Sequence, residues 1–396
     1  MAKPFEGIKV LDLTRALAGP YCTLILSDLG AEIIKVEIPK FGDDARQYGP
    51  FKNDVGLYFL SLNRAKKSIT LNLKAEEGKI ILKELVKEFD ILIENYRPGT
   101  MEKLGLGYDI LKKINPKLIY AASSGFGHTG PDSHKPAYDL LAQARGGIMS
   151  ITGWPDTPPT RVGVSIGDIT AGMFTAIGIN AALYHREKTG EGQKVDVAML
   201  DSQVAILENA MVRYQVEGIS PKPLGNRHPT VSPFQAFMAK DDYFVLPIGN
   251  DSLWKKFCKA VNKEEWITDS KFETNAGRND NLETLIPLLD ELFLTKNANE
   301  WITLIEEYGV PCGPINTIEK VMADKQIHAR NMIVEVDDDL AGSIKIAGNP
   351  IKMTSIPEEK KRDPVPKLSE HTSEVLSKYL GFDAEKLKQL KKDGVI

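Results

Sequence analysis

The chain has 396 residues, 42% of them hydrophobic and 26% charged, with a formal net charge of −4. That length predicts one large domain plus a smaller one. Lysines lie among acids rather than in clusters, which sets aside nucleic acid and membrane as partners, since anionic surfaces favour a basic face.

In chain order, "IKVLDL" (8–13) reads as a strand, "PYCTLILSDLG" (20–30) as a helix and "AEIIKVEI" (31–38) as a second strand. Pro20 can open that helix and Gly30 can close it. Residues 75–89 have helical apolar spacing, and "DILIEN" (90–95) is a short strand. Residues 100–114 read as helical in part, and "LIYAASS" (118–124) as a strand. Val162, Val164 and Ile166 alternate as in a strand and lead into an apolar helix over 169–185, stopped by "KTGEG" (188–192). "QKVDVAML" (193–200) continues the alternation. This β-α-β order implies an α/β protein: a Rossmann-like, mostly parallel sheet covered by helices on both faces.

A Pro- and Gly-rich crossing (214–233) leads into a second unit, with a hairpin in "KDDYFVLPI" and helix-like stretches over 251–308. Residues 333–353 resemble a β-meander, and the tail ends in an amphipathic helix. The expected division is a large domain of residues 1–215 and 330–396 and a smaller α+β domain of 216–329.

No apolar run reaches bilayer-spanning length, and "MAKPFEGIKVLDL" lacks the apolar core of a signal peptide. Cys22, Cys258 and Cys312 are far apart, with no CxxC pair and no metal-ligand spacing to histidines. A cytoplasmic setting without a structural metal is the expectation.

The motifs exclude more than they identify. After the first strand the turn reads "TRALAGP" rather than GxGxxG, so the glycines that admit a pyrophosphate are missing, although Glu37 ends the next strand where a ribose-binding acid could lie. "SSGFGHTGP" (123–131) has no Lys-Ser/Thr after it and is no P-loop, and no GxSxG elbow marks a serine nucleophile. It reads as a tight turn, with His128 and His134 as surface-loop residues. Asp168 stands just before the apolar helix among Gly163, Ser165, Gly167, Thr170 and Gly172. A carboxylate there either caps the helix or, held in a near-attack geometry, serves as a nucleophile toward a thioester. Composition leaves both readings open.

The chain resembles the class III CoA-transferases, the family of formyl-CoA and carnitine CoA-transferases. The resemblance runs end to end and in order through "VLDLTRALAGPYCTLILSDLGAEIIKVE", "RAKKSITLNLK", "ENYRPGTMEKLGLGYD", "KPAYDLLAQARGG", "GDITAGMFTAIGINAALYHREKTGEGQKVDVAML", "GVPCGPINT" and "SEHTSEVL". It implies a ring-shaped two-domain subunit in an interlocked homodimer, with no permanently bound cofactor and a coenzyme A thioester as substrate. It implies ping-pong transfer of CoA from an acyl-CoA donor to a carboxylic acid, through an aspartyl–acyl anhydride and an aspartyl–CoA thioester. Asp168 matches the catalytic aspartate. The matching CoA contacts are Leu17, Ala18, Leu71, Lys74, Asn95, Tyr96, Arg97 and Lys103, with Tyr138 and Asp139 in the "AYD" motif. Oxyanion donors are expected from the turn into the helix after Asp168, and a water-excluding lid from 225–233.

The chain also departs from its relatives. Ile38 and Pro136 replace basic residues, and "LGNRHPTVSPFQAF" stands where the formyl enzymes have a glycine-rich loop. That segment is closer to relatives that use succinyl-CoA and dicarboxylic acids, with Arg227 and His228 as candidates for holding a distal carboxylate. Two rival readings share the resemblance. One is an acyl-CoA racemase, for which Tyr138, at the usual position of a histidine base, is poorly suited. The other is a CoA-binding partner subunit, against which the presence of Asp168 speaks.

Overall fold

Hydrophobic alternation along the strands is what builds the larger part of the molecule. In the computed structural model, which describes residues 3–396, six strands form one wholly parallel sheet. They are β1 (Lys9–Asp12), β2 (Glu32–Glu37), β3 (Lys67–Thr70), β4 (Ile91–Glu94), β5 (Ile119–Ser124) and β6 (Lys194–Ala198). Their order across the sheet is β3-β2-β1-β4-β5-β6. This is the doubly wound arrangement, with its direction of winding reversed between β1 and β4.

Both faces are buried, as a parallel sheet requires. Val10, Ile33, Ile91, Ile93, Ile119 and Ala121 point to the face covered by α1 (Ala18–Asp28) and by the long helix Ile166–Thr189. Leu11, Ile34, Leu92, Tyr120 and Ala122 point to the other, covered by α2 (Glu76–Glu88) and by Val375, Leu376, Leu390 and Val395 of the chain's final helices and tail. The long helix, α3, is apolar and long enough to cross a membrane by composition alone, yet half of its apolar stretch is buried inside the protein. A side chain at Gly172 would stand 2.6 Å from the Ala18 carbonyl, so glycine is what lets α3 lie this close to α1.

One sequence expectation fails here. Residues 162–166 form no strand: Val164 is exposed, and the Val162 amide donates to the Gln143 side chain rather than to a neighbouring strand. The helix begins at Ile166 instead of 169 and runs to Thr189, where Gly190 closes it in the left-handed region at φ 78°. Asp168 is therefore inside the first turn.

The chain divides into two compact units, one running up to Ile148 and including Arg161–Val212 and Lys325–Ile396, the other comprising Met149–Thr160 and Arg213–Asp324. In the second unit, strands Phe234–Met238 and Tyr243–Pro247 form a hairpin extended by Gly313–Pro314. Its core centres on Phe293, ringed by Phe237, Phe244 and Trp301 at centroid distances of 4.9 to 5.4 Å. The predicted meander is a hairpin of Ile333–Asp338 with Gly342–Ala347, joined in parallel by Lys361–Arg362.

Candidate active site

Ligands of doubly wound sheets bind beyond the carboxyl ends of the strands, where the winding reverses. At that point the loop after β1 meets the turn after β4. The Asn95 side chain accepts from the Arg15 amide at 2.9 Å and donates to the Arg15 carbonyl at 2.7 Å, locking the two segments together. The Arg15 guanidinium lies over the Tyr96 ring, 5.3 Å from its centre. Ala16 sits at φ 63°, a left-handed conformation that its own amide stabilises by donating to Asp43 at 3.0 Å. These segments wall a cleft of about 260 Å³, completed by Tyr48, Ser123–Gly125, Pro136–Tyr138, Met199 and Asp168.

A fully buried group of charges lies beneath the loop. Lys35 pairs with Asp43 at 2.7 Å and donates to the Thr14 carbonyl at 2.8 Å. Lys66 reaches Asp12 at 3.2 Å, and Asp12 also accepts from the Thr14 amide and the Thr23 hydroxyl. Burial alone would raise the Asp12 carboxyl, but Lys35 and Lys66 outweigh it and hold the group down at about 2. Glu37, the candidate ribose ligand, is spoken for: Arg46 binds it through Nε at 2.8 Å and Nη2 at 2.7 Å, and Ser68 donates at 2.6 Å.

Two carboxylates near the start of α3 take different roles. Asp139 accepts from the Gly167 amide at 2.8 Å and from Gln143 at 2.7 Å, with Arg161 3.8 Å away. It is Asp139, not Asp168, that caps the helix start. The Asp168 side chain makes no hydrogen bond or ion pair among the described residues and lines the cleft. Burial, with a further push from the Asp139 charge, raises its carboxyl to about 7. A carboxylate that is neither capped nor paired keeps its lone pairs available.

The sequence matches CoA-transferase family III over residues 5–372. The chain is 44% identical over 383 residues to acetyl-CoA:oxalate CoA-transferase of Acetobacter aceti, covering 96% of this chain and 97% of that protein. It is 40% identical over 395 residues to succinyl-CoA:glutarate CoA-transferase of Mus musculus, covering 100% of this chain and 90% of that one. Among solved structures, a CaiB/BaiF family protein from Brucella suis matches with a TM-score of 0.82 at 38% identity, covering 96% of this chain and 100% of that one. The chain belongs to CoA-transferase family III. It is a transferase whose substrates are CoA thioesters and carboxylic acids.

Of the residues expected at the site of this transferase, Leu17, Ala18, Asn95, Tyr96, Arg97, Tyr138 and Asp168 all line the cleft. Others are placed elsewhere. The Leu71 side chain is buried in the sheet core, so it offers no side-chain contact. Lys74 and Lys103 are exposed and lie outside the cleft wall. Asp139 is buried with its oxygens engaged, so it acts on Gly167 and Asp168 rather than as a ligand contact. Arg227 and His228 belong to the second unit, where the His228 ring accepts from the Thr230 and Val231 amides and so braces its own turn. In the turn into the helix, from which oxyanion donors were expected, the Gly167 and Ile169 amides are already committed to Asp139 and to the Ser165 carbonyl.

Sequence reading missed Arg15, Tyr48 and Ser123–Gly125 as cleft walls. For the last of these a signal existed: "SSG" follows a strand whose carboxyl end faces the crevice, so the tight turn is also a wall.

Proposed function

We propose that Asp168 is the nucleophile of the transferase. The observation that carries this reading is an uncapped, unpaired carboxylate in the cleft at the winding reversal. One Asp168 oxygen attacks the donor thioester carbonyl; the C–S bond breaks, leaving an aspartyl–acyl anhydride and a CoA thiolate. The thiolate attacks the aspartyl carbonyl, and the donor acid leaves as its carboxylate. The acceptor carboxylate then attacks the aspartyl–CoA thioester; its C–S bond breaks, giving a second mixed anhydride and free CoA thiolate. The thiolate attacks the acceptor's acyl carbon, releasing the new acyl-CoA and regenerating the Asp168 carboxylate. No net proton is consumed. Arg15 and the cleft-lining amides and hydroxyls supply a polar surround for the oxyanion formed at each step.

The CoA chain runs, in this reading, along Leu17, Ala18, Asn95, Tyr96, Arg97 and Tyr138, with Lys74 and Lys103 toward its phosphates. The test is mass spectrometry after mixing the protein with succinyl-CoA. A CoA adduct on the Asp168 peptide, discharged by hydroxylamine and trapped by borohydride, is expected. Absence of an adduct with succinyl-, acetyl-, formyl- and butyryl-CoA alike sinks the reading.

The reacting form is the ionised one, so activity rises with pH through Asp168's ionisation and is lost as pH falls below about 7. Asp139→Asn keeps an acceptor for the Gly167 amide and removes the neighbouring charge, which shifts the acidic limb of kcat/KM to lower pH. At pH 6 the variant should keep roughly two- to five-fold more of its own maximum than the parent. An unmoved limb assigns that ionisation to another group.

The relatives described above act on oxalate and glutarate, both dicarboxylic acids. That favours a dicarboxylate acceptor here, with Arg227 and His228 as its selectivity residues and 225–233 as a lid. Arg227→Ala should lower kcat/KM about ten-fold or more for dicarboxylates and little for monocarboxylates; equal loss for both would end this assignment. A homodimer, interlocked as the family resemblance implies from ring-shaped subunits, is supported by exposed apolar side chains on the first unit, among them Leu140, Ile177, Tyr184 and Val212. A cytoplasmic setting suits the three cysteines, all free thiols.

A further inference from the structure

The sequence placed His128 on a surface loop. The structure buries its side chain to 8% exposure beneath the turn that follows β4. The strand register explains how. Glu94 of β4 stands opposite Ala122 of β5, and Lys194 and Asp196 of β6 stand opposite Tyr120 and Ala122. Glu94, Tyr120, Lys194 and Asp196 therefore share one face of three adjacent strands. His128, from the loop after β5, drops among them.

The contacts are directional. Glu94 is 2% exposed. Its Oε2 accepts from the Tyr96 amide at 2.7 Å and its Oε1 from the Tyr120 hydroxyl at 3.1 Å. Lys194 Nζ lies 3.0 Å from His128 Nδ1. An ammonium only donates, so Nδ1 is the acceptor and the neutral ring carries its proton on Nε2. That nitrogen is buried without a hydrogen-bond partner, 3.7 Å from Glu94 Oε1. The separation is within ion-pair reach and too long for a hydrogen bond.

We propose that Glu94 and His128 are a proton-holding pair that positions the 95–98 turn, and that binding of coenzyme A to this turn drives proton uptake at Glu94. The inference rests on the CoA reading of the cleft. Glu94 fixes Tyr96 through its amide, and Asn95, Tyr96 and Arg97 are three of the proposed CoA contacts. The ligand is a polyanion, and seating it on Asn95, Tyr96 and Arg97 brings net negative charge toward the turn behind which the water-shielded Glu94 carboxylate lies, which favours the neutral acid.

The charges facing the pair support a group poised to titrate. Burial pushes the Glu94 carboxyl up to about 7; the Tyr96 amide, Tyr120 hydroxyl and Lys194 oppose this, while Glu102 adds to it. Burial and Lys194 push His128 down, against Asp196 and Glu102. A ligand that raises the Glu94 ionisation binds the protonated form more tightly, so its affinity falls as pH rises.

Calorimetric titration with CoA at pH 6, 7 and 8, in buffers of differing ionisation enthalpy, reads this directly. The parent protein should take up a fraction of a proton on binding, and its Kd should weaken about three- to ten-fold from pH 6 to pH 8. Glu94→Gln retains an acceptor for Tyr96 but cannot ionise, and both effects should shrink; the ligand's own phosphate titration is common to both proteins. His128→Gln keeps a donor toward Glu94 and supplies an independent arm, in which the pH of maximal uptake should move. Identical uptake in parent and variants overturns the proposal, as does a uniform loss of affinity at every pH, the signature of a purely structural role. Failure of the parent to bind CoA at any pH instead overturns the CoA reading.

Discussion

Asp168→Asn will reduce CoA transfer by about a thousand-fold or more and leave the fold intact. The two side chains have nearly the same shape, and the Asp168 carboxylate makes no hydrogen bond or ion pair among the described residues whose loss would weaken the protein. The variant removes one of two like charges near the start of α3, since the Asp139 carboxylate acts on Asp168. Its melting temperature should therefore hold or rise. Activity fails because an amide cannot form the anhydride, and no CoA adduct should appear on the peptide. A variant that retains a tenth of the parent rate would show that Asp168 does not carry the covalent step.

The second large effect lies beneath the site. Lys35→Met approximates the buried side chain's volume but deletes its charge, stranding Asp43 at full burial and removing one of the two cations that hold Asp12 ionised. Breaking such a pair from one side costs about 3–5 kcal/mol. The loop 14–18 also loses an anchor, since Lys35 binds the Thr14 carbonyl and Asp43 holds the Ala16 amide. Thermal melting should register the loss, and the double variant Lys35→Met with Asp43→Asn should recover part of it. The asparagine leaves no stranded charge and still offers an acceptor to Ala16 and Ala45. A single variant as stable as the parent would mean that water or a rearranged Lys66 takes over the neutralising role.

Much of the architecture was legible because apolar periodicity is a local signal. "IKVLDL", "AEIIKVEI", "DILIEN" and "LIYAASS" are near-continuous apolar runs, and all four became neighbours in the parallel sheet. Val162, Val164 and Ile166 show the limit of that signal: period-two spacing is necessary for a strand but does not supply the partner that a strand must pair with. The role of Asp139 was hidden for a related reason. It lies 28 residues before the amide it caps, and a local rule assigns a helix start only to the residues beside it. His128 was misplaced because a histidine in a Gly-rich loop reads as solvated. Its burial depends on a register across three strands, which no stretch of sequence displays.

The order in which the chain leaves the ribosome has consequences for this sheet. One sheet face is covered by Val375, Leu376, Leu390 and Val395. Edge strand β3 is tied to the same late segment: Ser68 accepts from the His371 amide at 2.9 Å, and just beyond the strand Asn72 donates to the Val395 carbonyl at 2.8 Å. All six strands are translated by Ala198, and α2 then covers part of that face, yet its cover stays incomplete until residues beyond 370 arrive. The second unit's segment Arg213–Asp324 is made wholly within that interval. Nascent chains should therefore complete the later unit first and carry a partly uncovered apolar sheet face meanwhile, a state that favours trapping and chaperone capture.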